Sequence, residues 1–212
     1  MCEHKFYKDL KLDYVTWDVT TLFIGTFNPG CCKEEDNSAN WFYGRTQNNM
    51  FWDTLGFIYE NNPQLGQQGN PQIWKAFCQR KEIAVTDMIS AVKEVDLNGA
   101  DYKDLCNGFS DKKLEYYIHN NQIVSTRLEE LIANSPKLQN LKYVYLTRAT
   151  ANNPWNTLWN PINQICTKKK IHIKKLTTPG GFNYFQFNTN FLRTPQNLET
   201  LWNNYGFENN VE

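Results

Sequence analysis

The sequence predicts a three-layer α/β/α sandwich around a central, mostly parallel four-stranded sheet, in one domain spanning residues 1–212. Three observations predict it. Short apolar runs bounded by turn residues alternate with stretches of helical periodicity, the pattern of βαβ units. The first three runs are almost continuously apolar, as strands covered on both faces are, while the fourth alternates apolar and charged residues like an edge strand. The chain has 212 residues, 41% of them hydrophobic, which suffices for a single core.

The elements follow in order. Tyr14-Val-Thr-Trp17 reads as a short strand or a cap over the sheet, and Thr21–Thr26 as the first strand, stopped by Gly25 and Asn28-Pro29-Gly30. Phe51, Leu55 and Ile58 recur at helical spacing over 50–60, with Asn48 or Asn49 available to cap. A loop over 61–71 precedes a short helix across 73–80. The second strand, 82–86, ends at Asp87, and 88–93 reads as a turn or short helix. Residues 96–109 look irregular, a helical stretch begins at Ser110, and a cleaner helix runs from Ser125 to Asn134. The third strand is 143–147. Asn152-Asn-Pro154 then opens a helix carrying Trp155, Leu158 and Trp159, since proline suits a first helical turn. The fourth strand is 171–177, and 195–205 forms a closing helix.

Charge narrows the function. With 22 basic and 22 acidic residues the formal net charge is zero. A protein that coats nucleic acid by charge alone is basic, so any such contact here is local. The run Lys168-Lys-Lys-Ile-His-Ile-Lys-Lys175 is the candidate patch, and it reads equally well as lysines that guard an edge strand against aggregation. The six cysteines contain no C-x-x-C pair and no paired histidine spacing, so neither a zinc nor a redox motif is expected. No signal-like apolar core and no membrane span are visible, which makes the cytoplasm, with reduced thiols, the default setting. Cys31-Cys32 follow the first loop, but no base or helix N-terminus marks either as a nucleophile.

Chemistry concentrates after the first strand. Gly25-Thr-Phe-Asn-Pro-Gly30, followed by Phe42-Tyr-Gly-Arg-Thr-Gln-Asn-Asn-Met-Phe-Trp52, resembles the first motif block of the uracil-DNA glycosylase superfamily. The resemblance is nearest to the mismatch-specific and hypoxanthine-DNA glycosylase branches. Ile83-Ala-Val-Thr-Asp-Met-Ile89 is similar to the hypoxanthine branch's strand that ends in aspartate, and Thr177-Thr-Pro-Gly-Gly181 takes the place of the superfamily's second motif.

The resemblance implies a monofunctional DNA glycosylase that removes a deaminated base, uracil or hypoxanthine, without metal or cofactor. Asn28 and Asn49 would be catalytic, with Asn28 orienting a water on the sugar carbon. Tyr43, Phe42, Phe27 and Asp87 would bind the flipped base. Arg45, Lys174, Lys175, Thr178, Pro179, Gly180 and Gly181 would contact the DNA backbone. The partner would be damaged or mismatched DNA, single- or double-stranded, met by a monomer. Such an enzyme must unstack a base at a cost of a few kcal/mol and hold it in a tight pocket, for which an aromatic ring and an amide are suitable groups. Plain alternatives stand beside these roles. Asn28 before a proline starts a turn, Asn49 caps a helix, and Tyr43 and Phe42 pack. At the level of the whole protein, the alternatives are a non-catalytic nucleic-acid-binding module and a hydrolase of free nucleosides.

Overall fold

The computed structural model describes residues 1–44, 49–107, 109–180 and 193–208. Its centre is a parallel sheet of β2 (Thr21–Gly25), β3 (Ile83–Asp87), β6 (Tyr143–Leu146) and β7 (His172–Lys175), in the order β3-β2-β6-β7. Strand side chains alternate between faces, and here that alternation sorts them into two cores. Leu22, Ile24, Ala84, Val144 and Leu146 face one layer, with residues of α4 (Asp111–His119), α5 (Leu128–Asn134) and α6 (Asn156–Lys168). Phe23, Ile83, Val85 and Tyr145 face the other, with α1 (Phe51–Glu60), α2 (Pro71–Arg80) and α7 (Pro195–Asn204). The register pairs Phe23 with both Val85 and Tyr145, so the second core is continuous across three strands. This is the predicted three-layer sandwich.

The second core is built largely of rings. Trp52 lies between Trp41 and Trp74, stacked at 5.6 and 5.1 Å between centroids. Each indole N–H has an acceptor: Asp9 for Trp41, the Phe42 carbonyl for Trp52 and the Leu65 carbonyl for Trp74. Large rings can be buried in this way because their one polar atom is satisfied. Tyr14 and Trp17 turn out to cap rather than to form a strand. The Tyr14 hydroxyl donates to the Val85 carbonyl and accepts the Val85 N–H, and the Trp17 indole donates to the Ile83 carbonyl. Both therefore occupy the open edge of β3, which an unpaired strand needs.

Two predicted elements differ. Residues 89–92, expected as a turn or short helix, form β4 (Ile89–Val92), the middle strand of a small antiparallel sheet. Its partners are β1 (Cys2–Glu3) and β5 (Ile123–Ser125), whose last residue was expected to open the 125–134 helix. A strand of four residues gets its identity from its partners, and these lie far away in sequence. The segment expected to be irregular contains a short helix, α3 (Ala100–Tyr102), that widens into a π-type turn over Lys103–Asn107.

Four tyrosines, Tyr145 buried and the other three half-buried, report on the integrity of these cores. Tyr14, Tyr43, Tyr59 and Tyr145 all have hydroxyls raised above the ordinary value of 10, with burial as the leading cause in each. Above pH 10 the unfolded chain loses protons that the folded chain keeps, so this contribution to stability is complete below pH 10 and falls as pH rises. Absorbance of tyrosinate should then rise in two stages, with the buried set ionising only together with loss of circular dichroism. A single smooth titration of all 11 tyrosines with the fold intact would contradict this burial.

Candidate active site

All four parallel strands deliver residues to one cavity of about 490 Å³. The chain leaves β2 towards β3 on one side and leaves β6 towards β7 on the other, so a crevice opens between the carboxyl ends of β2 and β6. Open α/β sheets bind ligands at such a switch point. Gly25 to Asn28 line it from β2, Asp87 from β3, Thr147 and Arg148 from β6, and Thr178 to Gly180 from β7. Tyr43 and Asn49 enter from the first loop, and Phe109 to Lys112 from the start of α4. A larger cavity of about 730 Å³ lies between residues 7–13, β5 and α5. Its two buried polar side chains, Ser90 and Thr126, spend their hydroxyl protons on backbone carbonyls. The smaller cavity is the one at the carboxyl ends of the parallel strands.

Asp87 is the first of these. It ends β3 opposite Gly25, its register partner on β2. A Cβ at position 25 would lie 2.2 Å from Asp87 Oδ1, so the carboxylate occupies the space that only glycine leaves open. The second oxygen, Oδ2, is 2.7 Å from His4 Nε2, and both side chains are buried. His4 Nδ1 accepts the Phe6 N–H at 3.0 Å, so the ring proton sits on Nε2 and is donated to Asp87. His4 comes from the N-terminal segment, which is laid against the first loop by Lys5 N–H to the Asn28 carbonyl and Gly30 N–H to the Glu3 carbonyl.

Asn28 is buried, and Asn37 fixes its orientation. The Asn37 amide nitrogen donates to both Asn28 Oδ1 and the Pro29 carbonyl at 2.7 Å, while its oxygen accepts the Ala39 N–H. The Asn28 oxygen therefore holds one donor already, with a second lone pair open, and its NH2 has no acceptor among the described residues. Asn28 is thereby held in one orientation, able to donate into the cavity.

Tyr43 stands beside it, partly buried, with one face stacked on Phe51 at 3.7 Å. The Thr147 hydroxyl donates to the Ile24 carbonyl, so Tyr43 donates to Thr147 Oγ1 at 3.1 Å. Burial, and next the nearby Asp87 charge, push the Tyr43 hydroxyl well above its ordinary value, so it remains a donor. Tyr43 also has φ of +60°, in the left-handed region that costs an ordinary residue about 1–2 kcal/mol. Strain of this kind gathers at functional sites.

The remaining expected residues divide. Phe27 lines the cavity and meets the His4 ring edge-on. Phe42 does not line it; its ring is fully buried against His4, Phe6 and Trp41, which assigns it to packing. Asn49 lines the cavity while its Oδ1 accepts the Phe51 N–H from the position before the N-cap, Met50. Thr178, Pro179 and Gly180 line the rim, and the Pro179 carbonyl accepts the Met50 N–H, which joins the loop after β7 to the start of α1. Lys174 and Lys175 do not line the cavity, and Lys174 lies along Gly206 beside α7. Arg45 and Gly181 lie outside the described residues.

Sequence reasoning missed His4, Asp111, Thr147 and Arg148. Asp111 accepts from Thr26 and from Arg148, whose guanidinium also donates to Glu115 and covers the Trp155 ring at 4.3 Å. The signal for Arg148 was its place, just beyond the carboxyl end of β6. The cysteines also differ from the expected reduced thiols. Cys2 is joined to Cys31 and Cys32 to Cys106, so the adjacent pair after the first loop is tied to β1 and to the turn after α3. Cys31, Cys32 and Cys106 sulfurs lie within 4.8 Å of one another, the one grouping among the described residues with the spacing of a metal site. As disulfides they are not thiolates, and thiolate is the form that ligates or attacks. Cys78 and Cys166 are free and buried, and burial pushes the Cys166 thiol up to about 12. Among the described residues no helix is long and apolar enough to cross a membrane.

Compared with family models, curated proteins and solved structures, the chain gives no match in any of the three.

Proposed function

We propose that this chain is a monofunctional DNA glycosylase that hydrolyses the N-glycosidic bond of a flipped-out deaminated base. One observation carries the reading. The Tyr43 ring, backed by Phe51, and the Asn28 NH2, oriented by Asn37, meet in a single cavity at the carboxyl ends of β2 and β6. A flipped base needs a flat surface to stack on and polar groups for its edge, and this cavity supplies both. Its volume, about 490 Å³, is ordinary for a site that holds a small ligand. The loop Thr178 to Gly180 forms the rim where the DNA backbone would pass. Lys174 and Lys175 would serve only flanking phosphates, since neither borders the cavity. A cytoplasmic setting belongs to the same proposal.

A second reading, hydrolysis of free nucleosides, has an observation of its own. Arg148 is paired with Asp111 and Glu115, which leaves Lys112 as the other cation among the described residues of the lining. Labelled oligonucleotides with one uracil or one hypoxanthine, single-stranded and mismatched, separate the two. Alkali-labile cleavage at the modified base is the expected result. Release of base from nucleosides with none from DNA would transfer the conclusion to the second reading.

A further inference from the structure

We propose that Asp87 is the catalytic base that takes the proton of the attacking water, and that His4 is its positioning residue; this rests on the glycosylase reading. Hydrolysis needs an acceptor facing the reacting carbon, and the described residues of the cavity supply few. The Asn28 oxygen belongs to an amide, which is no base, and already accepts from Asn37; both oxygens of the Asp111 carboxylate are engaged, one by Thr26 and one by Arg148. Asn49 gives its oxygen to the Phe51 N–H. Asp87 differs from all of these. Its Oδ2 is fixed by the His4 ring, while Oδ1 has no hydrogen-bond donor among the described residues and lies over Gly25 on the cavity wall. Tyr43 Oη borders the same point over Gly25, at 3.3 Å, so the open oxygen and the stacking residue face one spot.

The His4 contact makes this arrangement directional. A carboxylate with both oxygens free would rotate between them, whereas a single buried N–H donor on Oδ2 leaves Oδ1 as the defined acceptor. The donor in turn is oriented by the Phe6 N–H on Nδ1. In the reaction the water oxygen bonds to C1′ as the C1′–N bond breaks, and the bonding pair leaves with the base. Oδ1 accepts the water proton, which passes through solvent to the departing base nitrogen. The products are an abasic sugar and the free base, and no other reactant is required.

The test is single-turnover excision on the uracil and hypoxanthine oligonucleotides, with DNA affinity measured in parallel by gel shift. Asp87→Asn, close in shape, should lose at least about 100-fold in rate, the usual worth of a general base, with affinity unchanged. Formate should restore part of the rate of Asp87→Ala, which a purely structural aspartate would not allow. His4→Gln keeps an N–H donor and should retain most of the rate, whereas His4→Leu should lose it at the same affinity. Wild-type cleavage with Asp87→Asn cutting within a few-fold of it overturns the inference and leaves the glycosylase reading standing. No cleavage by the wild type overturns both. If Asp87→Asn melts early, Asp87→Glu takes its place: its carboxylate is displaced by one methylene, so a loss of rate supports the inference and full rate overturns it.

Discussion

Tyr43→Ala is expected to lower the excision rate by about 10- to 100-fold while the protein stays folded. The estimate follows from base–aromatic stacking, worth about 1–3 kcal/mol per base when an aromatic residue is replaced by alanine. Phe51 supports the ring from behind and remains in the variant, so the lost surface is the ring that would meet the base. Tyr43→Phe separates the ring from its hydroxyl. It keeps the stacking surface and gives up only the hydrogen bond to Thr147, and it should retain most of the activity. Tyr43→Gly adds a stability readout: the backbone is left-handed at this position, and glycine adopts that conformation without the penalty. It should therefore be as inactive as Tyr43→Ala and about 1 kcal/mol more stable at the backbone. Single-turnover rates and thermal melts on the three variants check all of this. Full activity in Tyr43→Ala would remove the ring from the site's chemistry.

The sheet was legible because its strands carry their own signal. Thr21 to Gly25 and Ile83 to Asp87 are buried at every position, and a buried parallel strand is written as an unbroken apolar run. β4 is just as buried, yet Met88-Ile-Ser-Ala-Val reads ambiguously until β1 and β5 supply partners from residues 2–3 and 123–125. The site divides along the same line. Asn28, Tyr43 and Asn49 sit in one local motif, and the fold brings all three to the cavity. His4 and Arg148 sit in no motif at all. Their placement depends on a long-range bridge between the N-terminal segment and the first loop, and on the sheet order, neither of which local pattern encodes. Phe42 shows the opposite limit: it neighbours Tyr43 in sequence, but the left-handed turn at Tyr43 leaves one ring in the core and sends the other to the cavity. The pairing of Cys2 with Cys31 and Cys32 with Cys106 was likewise beyond the sequence, since six cysteines allow fifteen full pairings and nothing local says which two stay free.

The same close approach at Gly25 sets up a cycle whose result cannot come from two independent sites. Gly25→Ala places a methyl group 2.2 Å from where Asp87 Oδ1 now lies, and the aspartate side chain is too short to bend away while keeping its bond to His4. Overpacking of a tight site costs about 1–3 kcal/mol, and that is the expected loss of stability. Excision should fall at least as far as in Asp87→Ala, because the carboxylate no longer points at the cavity. Asp87→Ala alone leaves His4 buried without its acceptor, which costs about 1–3 kcal/mol for an unsatisfied donor. In the double variant the new methyl meets no carboxylate. The second substitution therefore adds little, and the two losses sum to clearly more than the measured total. Residues in direct contact deviate from additivity by about 0.5–3 kcal/mol, a range that denaturant melts resolve. Strict additivity would mean that Asp87 does not lie over Gly25, and with it would go the directed acceptor on which the chemistry of this cavity is built.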